Sequence, residues 1–193
     1  MARTKAFNQE LVLDMALQLF WKKGYFDTSI QDLVDELGIN RGSLYDTFGG
    51  KKELFYSSFE LHLKENIMFL DEFLCSKDNV KDGIHEFFEI VIRTSVKDKK
   101  NKGCFIVNTT MELIPSDMKV EEMVTKYRKD LIEIFRKHLE IGKKKGVISK
   151  NLDIAIVSSS LYTILTGMRV TAKTTNDSGE LQDILNIILA IME

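Results

Sequence analysis

The sequence predicts an all-α protein: an N-terminal three-helix domain with a helix-turn-helix, and a C-terminal helical bundle. Three observations carry this. Its 193 residues include a single proline, at position 115, and few strand-like two-residue alternations. Apolar residues recur at three- and four-residue steps along most of the chain. The stretch TSIQDLVDELGINRGSLYDTFGGKK, from Thr28 to Lys52, sets a glycine turn between two short amphipathic runs. Apolar residues make up 44% and charged residues 29%, which is ordinary globular composition, and the length supports a substantial core. The expected division is residues 1–52 for the helix-turn-helix domain and 53–193 for the helical bundle.

Arg3 and Lys5 form a short arm, read either as a phosphate or minor-groove contact or as a frayed terminus. The first helix starts at Asn8, with Phe7 and Val12 as a hydrophobic staple. Leu11, Met15, Leu19 and Phe20 are its core stripe, and Lys22, Lys23 and Gly24 close it. Thr28 is expected to cap the second helix, with Gln31 completing a capping box. Ile30, Leu33, Val34 and Leu37 share its inner face, and Gly38 takes the left-handed position that ends it. Asn40 caps the third helix, Arg41 to Phe48, which turns Leu44 and Phe48 inward before Gly49-Gly50 stops it.

That third helix would enter a DNA major groove. Arg41, Ser43, Tyr45 and Thr47 can reach base edges or phosphates, Gly42 permits close backbone approach, and Thr28 lies at the neighbouring helix start. An ordinary polar surface face is the plainer alternative. Lys51 and Lys52 favour DNA, because cations in a helix's first turn oppose its dipole by about 0.3–1 kcal/mol each unless a phosphate is near. The net charge of −2, and equal numbers of acidic and basic groups in residues 1–52, count against strong non-specific binding.

A fourth helix runs from Lys51 to Leu74 without a breaker, with Leu54, Phe55 and Phe59 on the reading head and Leu63, Ile67, Leu70 and Phe73 in the second domain. A fifth follows, Val80 to Val96, striped by Ile84, Phe87, Phe88 and Val91. Residues 97–102 are a polar connection, and Gly103 to Leu113 is an apolar helix ended by Pro115. A long amphipathic helix spans Ser116 to Lys145. Two helices remain, Leu152 to Lys173 and Glu180 to Met192. Small residues in the first (Ser158, Ser159, Ser160, Thr163, Thr166, Gly167) beside the apolar second suit a four-helix interface between two copies, or else an intramolecular core.

The run Ala16-Leu-Gln-Leu-Phe20, Gly24-Tyr25, Thr28-Ser29-Ile30, Leu37-Gly38-Ile39, Arg41-Gly42-Ser43-Leu44-Tyr45, Phe48 and Lys51-Lys52-Glu53-Leu54 resembles the N-terminal domain of TetR-family regulators. The resemblance covers the first third of the chain at many fixed spacings. Residues Gly103 to Thr109 are similar to a segment in the effector domains of one branch of that family. The family resemblance implies a homodimeric, ligand-responsive transcription regulator, usually a repressor, with residues 1–52 as the DNA-binding domain on a palindromic operator and residues 53–193 as the effector-binding and dimerisation domain, released by a small-molecule effector. A sensor needs an apolar pocket with a few placed polar groups. Candidate lining residues are Phe69, Phe73, Phe88, Phe105, Asn108, Met111, Glu112, Tyr127, Tyr162, Thr166 and Arg169, each also readable as core; Glu112 and Arg169 are a possible pair.

Other functions find less support. Cys75 and Cys104 show no metal or disulfide spacing, and His62, His85 and His138 are scattered, so no metal or cofactor is expected. Cys104 reads as a small buried residue or as a redox or electrophile sensor. No GxSxG, HExxH, P-loop or GxGxxG motif supports an enzyme. No apolar run approaches a membrane span and the N-terminus lacks a signal core, so a cytoplasmic location is expected. The competing function is a helix-turn-helix used as a protein-interaction adaptor without sequence-specific DNA binding.

Overall fold

The computed structural model describes residues 8–97, 102–175 and 177–192, and every regular element among them is an α-helix. In chain order these are α1 (Gln9–Lys23), α2 (Ile30–Leu37), α3 (Arg41–Phe48), α4 (Lys51–Cys75), α5 (Val80–Val96), α6 (Phe105–Leu113), α7 (Met118–Lys144), α8 (Ile154–Thr171) and α9 (Ser178–Ile191). The expected all-α class holds. The proposed arm at Arg3 and Lys5 and the staple residue Phe7 lie outside the described residues.

Local chemistry sets the helix ends. Asn8 caps α1 by accepting from the N–H groups of Glu10 and Leu11. The expected cap on α2 is corrected by one residue: Ser29, not Thr28, accepts from Asp32 N–H, and Asp32 returns the bond to Ser29 N–H. Thr28 is instead fully buried, its hydroxyl donating to Gly24 O at 2.6 Å. The α1 stripe also shifts. Val12, Ala16, Leu17, Leu19 and Phe20 are buried, whereas Leu11 is 58% exposed, because α1 is wedged between α2 and α4. Gly38 ends α2 at φ 62°, ψ 24°, the left-handed geometry that sends the chain into α3.

Helices α1–α3 pack around the first half of α4, whose 25 residues make a rod about 37 Å long. Beyond Leu63 the rod enters a bundle in which α7 packs on α8, α4 and α6, while α5 packs on α9, α4, α8 and α7. One continuous apolar core runs through both parts. Its centre is a chain of rings: Phe20 on α1 meets Phe55 on α4 at 5.1 Å, Phe55 meets Phe59 at 5.7 Å, and Phe59 meets Phe105 on α6 at 5.6 Å.

The remaining boundaries move slightly from expectation. Asp117 caps α7, so that helix starts at Met118, and Asp153 and Asp177 cap α8 and α9. α8 is long and apolar enough, by length and composition, to cross a membrane, the one such helix among the described residues. Only 28% of that stretch is buried within the chain.

Candidate functional site

Two sites emerge, an exposed helix at one end and a cavity behind it. At α3, Asn40 accepts from Ser43 N–H at 2.8 Å, fixing the first turn, and Leu44 alone is fully buried. This leaves Arg41 and Gly42 open to solvent and Tyr45 44% exposed, with the Arg41 guanidinium 5.9 Å from the Tyr45 ring centre. Ser43 is half-buried. Two expected DNA contacts are corrected. Thr28 is enclosed and spends its hydroxyl on Gly24 O. The Thr47 hydroxyl is buried with no hydrogen-bond partner among the described residues, so in this placement it does not face DNA.

Lys51 and Lys52 occupy the first turn of α4, whose cap, Gly50, supplies no side-chain acceptor. The Lys51 ammonium lies 4.4 Å from the Tyr25 ring centre, and burial pushes its pKa down. Lys52 is exposed but paired. It reaches Asp117 at 3.1 Å, and hydrogen bonding with Tyr56 and Asp117 holds its pKa above the usual lysine range. Asp117 also accepts from the Tyr56 hydroxyl at 2.7 Å while capping α7. A side chain expected on phosphate thus already joins the start of α4 to the start of α7.

Behind α1 lies a cavity of about 340 Å³, lined among others by Trp21, His62, Asn66, Thr94, Cys104, Phe105 and Arg169. The Arg169 guanidinium sits 3.5 Å from Cys104 Sγ, and Cys104 itself occupies the cap position of α6. The His62 imidazole is pushed down to about 4, first by burial and then by the charge on Arg169, so it is neutral near pH 7. Lys102, stacked 4.2 Å from the Trp21 ring centre, and Lys173 add positive charge at the rim.

The expected pocket residues divide. Phe105 and Arg169 line the cavity. Phe69 and Tyr127 border a smaller space of about 120 Å³ that shares Asn66, Thr94 and Arg169 with it. Burial pushes the Tyr127 hydroxyl up to about 12. Asn108 and Glu112 line a cleft between α1 and α6 that shares Trp21, Lys102 and Phe105. Five candidates are corrected. Phe88 is fully enclosed against Phe87 and Phe135, and Met111 is 77% exposed. Thr166 donates to Tyr162 O, and Phe73 packs against Phe69 and Phe87; neither borders the cavity. Tyr162 is half-buried against the core, and it too is absent from the cavity wall.

Glu112 does not pair with Arg169. Its carboxylate accepts from Tyr25 N–H at 3.1 Å and Phe26 N–H at 2.8 Å, tying α6 to the turn before α2. A second tie is the Trp21 indole, which donates to Gly103 O at 2.9 Å. Sequence reasoning missed Trp21, His62, Asn66 and Thr94. Only helix packing brings them together, and the one available signal was polar residues interrupting the apolar face of the fourth helix.

Comparison with known proteins fits this geometry. The description "Bacterial regulatory proteins, tetR family" matches residues 12–57, and "Tetracyclin repressor-like, C-terminal domain" matches residues 81–188. The chain is 32% identical over 194 residues to the uncharacterised HTH-type transcriptional regulator YezE of Bacillus subtilis, covering 100% of both. It is 24% identical to the HTH-type transcriptional repressor ComR of Escherichia coli, covering 89% of this chain and 82% of that one. Its fold superposes with a TM-score of 0.85 on a cysteine mutant of the TetR-family regulator CifR complexed with operator DNA, at 23% identity and 100% coverage of both chains. With its second match spanning more than half of its length and a full-length relative above 30% identity, the chain belongs to the TetR family of bacterial transcriptional regulators.

Proposed function

We propose that this regulator is a homodimeric repressor that holds a palindromic operator through α3 and releases it when a small molecule enters the cavity behind α1. The observation that carries the reading is the exposed pair Arg41 and Tyr45 on a helix whose only fully buried residue is Leu44. Arg41 and Tyr45 would read base edges, Gly42 and Ser43 would approach the backbone, and Lys51 and Lys52 would meet phosphates. Residues 1–52 would form the reading head and 53–193 the effector and dimer part. The relatives ComR, a repressor, and CifR, solved with operator DNA, support repression and DNA as partner. That company of bacterial regulators supports a cytoplasmic location.

The cationic side chains of Lys102, Arg169 and Lys173 in the cavity's lining favour an anionic effector over a cationic one. An effector there would press on Phe105, whose ring meets Phe59, and on the Trp21 and Glu112 ties to α1 and α2. Either would change the spacing of two recognition helices, which must meet grooves about 34–36 Å apart.

A second reading of the signal rests on Cys104, half-buried at the cavity wall beside the Arg169 guanidinium. An oxidant or electrophile that enters the cavity reaches this thiol, which makes it an alternative effector. If oxidants release DNA equally from wild type and Cys104→Ser, that reading ends.

The deciding experiment selects bound sites from a random DNA pool near physiological salt. A palindromic consensus is expected. Arg41→Ala or Tyr45→Ala should abolish the preference, costing about 1–3 kcal/mol per lost base contact, while Lys52→Ala should weaken all sites alike. No enrichment from effector-free protein would overturn the reading in favour of a protein-interaction adaptor.

A further inference from the structure

We propose that Asp71, Cys75 and His138 form a binding site for a divalent ion of the zinc type, fastening the far end of α4 to α7. Asp71 and Cys75 stand one turn apart near the end of α4, and His138 comes from α7. One ligand atom from each lies within 4.8 Å of the other two. His138 Nε2 is 2.9 Å from Asp71 Oδ1 and 3.9 Å from Cys75 Sγ, and Sγ is 4.0 Å from Asp71 Oδ1.

Bond lengths test the fit. With zinc–sulfur near 2.3 Å and zinc–nitrogen or –oxygen near 2.0–2.2 Å, tetrahedral ligand atoms stand roughly 3.4–3.6 Å apart. All three edges are within about half an ångström of that, a shift that side-chain rotation can supply. A thiolate, an imidazole and a carboxylate together suit borderline ions such as Zn²⁺ or Co²⁺, not Mg²⁺ or Ca²⁺, which want oxygen alone. His138 is buried at 5% exposure while Cys75 is exposed, so the ion would enter from solvent and keep a fourth position for water.

The charges balance. Cys75 releases its thiol proton to solvent, His138 takes the tautomer that leaves Nε2 bare, and thiolate plus carboxylate offset the ion's two positive charges. Without metal, Asp71 is occupied by Lys137 at 2.9 Å and by His138, which hold its carboxyl below the usual range. Lys137 is half-exposed, so its ammonium can turn into water at little cost. The plainer alternative is a hydrogen-bonded trio of His138, Asp71 and Lys137 with Cys75 as a bystander. No sequence spacing announces the site, because His138 lies on a different helix from the other two.

The test is titration of metal-stripped protein with Co²⁺ alone, followed by near-ultraviolet thiolate-to-cobalt charge-transfer absorption. One ion per chain is expected, with the band erased by Zn²⁺, lost in Cys75→Ser, weakened in Asp71→Asn and kept in Cys104→Ser. Both changes at this site are on the outer rim, so His138 packing survives, and circular dichroism checks the fold. Absence of the band at stoichiometric cobalt, or its survival in Cys75→Ser, overturns the proposal. The readout needs no DNA, so it stands or falls apart from the operator reading.

Discussion

His62 is where burial and a neighbouring cation push in the same direction. Desolvation and the Arg169 charge depress its pKa from 6.5 to about 4. The folded state therefore resists a proton that the unfolded chain accepts. Between pH 6.5 and 4 the unfolded state binds more protons, so stability falls as pH falls through that window and is fully present above it. At 1.36 kcal/mol per pKa unit, His62 would account for on the order of 2–3 kcal/mol between neutral and mildly acid solution. Urea denaturation of wild type and His62→Gln at pH 7 and pH 4.5 measures this. A markedly flatter pH dependence in the variant is expected; parallel curves would show that His62 is not the responsible group.

At the scale of elements, α5 and α7 approach so closely that Gly142 is required for steric reasons. A Cβ built there would meet Val80 Cγ1 at 2.3 Å, far inside contact distance. Gly142→Ala should destabilise by about 1–3 kcal/mol, the usual range for overpacking. Val80→Ala removes the obstructing methyl groups, so the double variant should lose less than the sum of the two single losses in a denaturation cycle. Additive losses would mean that the helices simply move apart. What was legible in the sequence follows the same division between local and assembled features. Helix-turn-helix, Asn40 cap and Gly38 stop were legible because capping and turn chemistry act within a few residues. Thr28 and Ser29 were confused because both are capping types, and burial decided between them. The cavity was legible only at Phe105 and Arg169. Trp21, His62 and Thr94 become neighbours through the packing of α1, α4 and α5, which no spacing along the chain encodes.

For the whole molecule, the open question is what covers α8. Ala155, Ser159, Thr163 and Gly167 recur every fourth residue along an exposed face flanked by Ile156 at 64% and Val170 at 47% exposure. Ser158, expected with them on the interface, is fully buried and donates to Ile154 O, so it belongs to the chain's own core. On α9, Ile187 is 65% exposed while Leu181 and Leu185 are buried. Apolar residues on the rim with small ones between them let a second helix pair come close, as a two-fold four-helix interface requires. Thr163 is exposed on that face, so Thr163→Glu should spare the monomer's fold while placing two like charges near the two-fold axis. Sedimentation should then show a monomer at micromolar concentration. Operator affinity should fall on the order of 100-fold, because each half-site would be held without its linked neighbour. A Thr163→Glu protein that stays dimeric would place the interface elsewhere. One that becomes monomeric yet binds the full operator undiminished would show that a single recognition helix suffices, and the effector would then have to act within one chain.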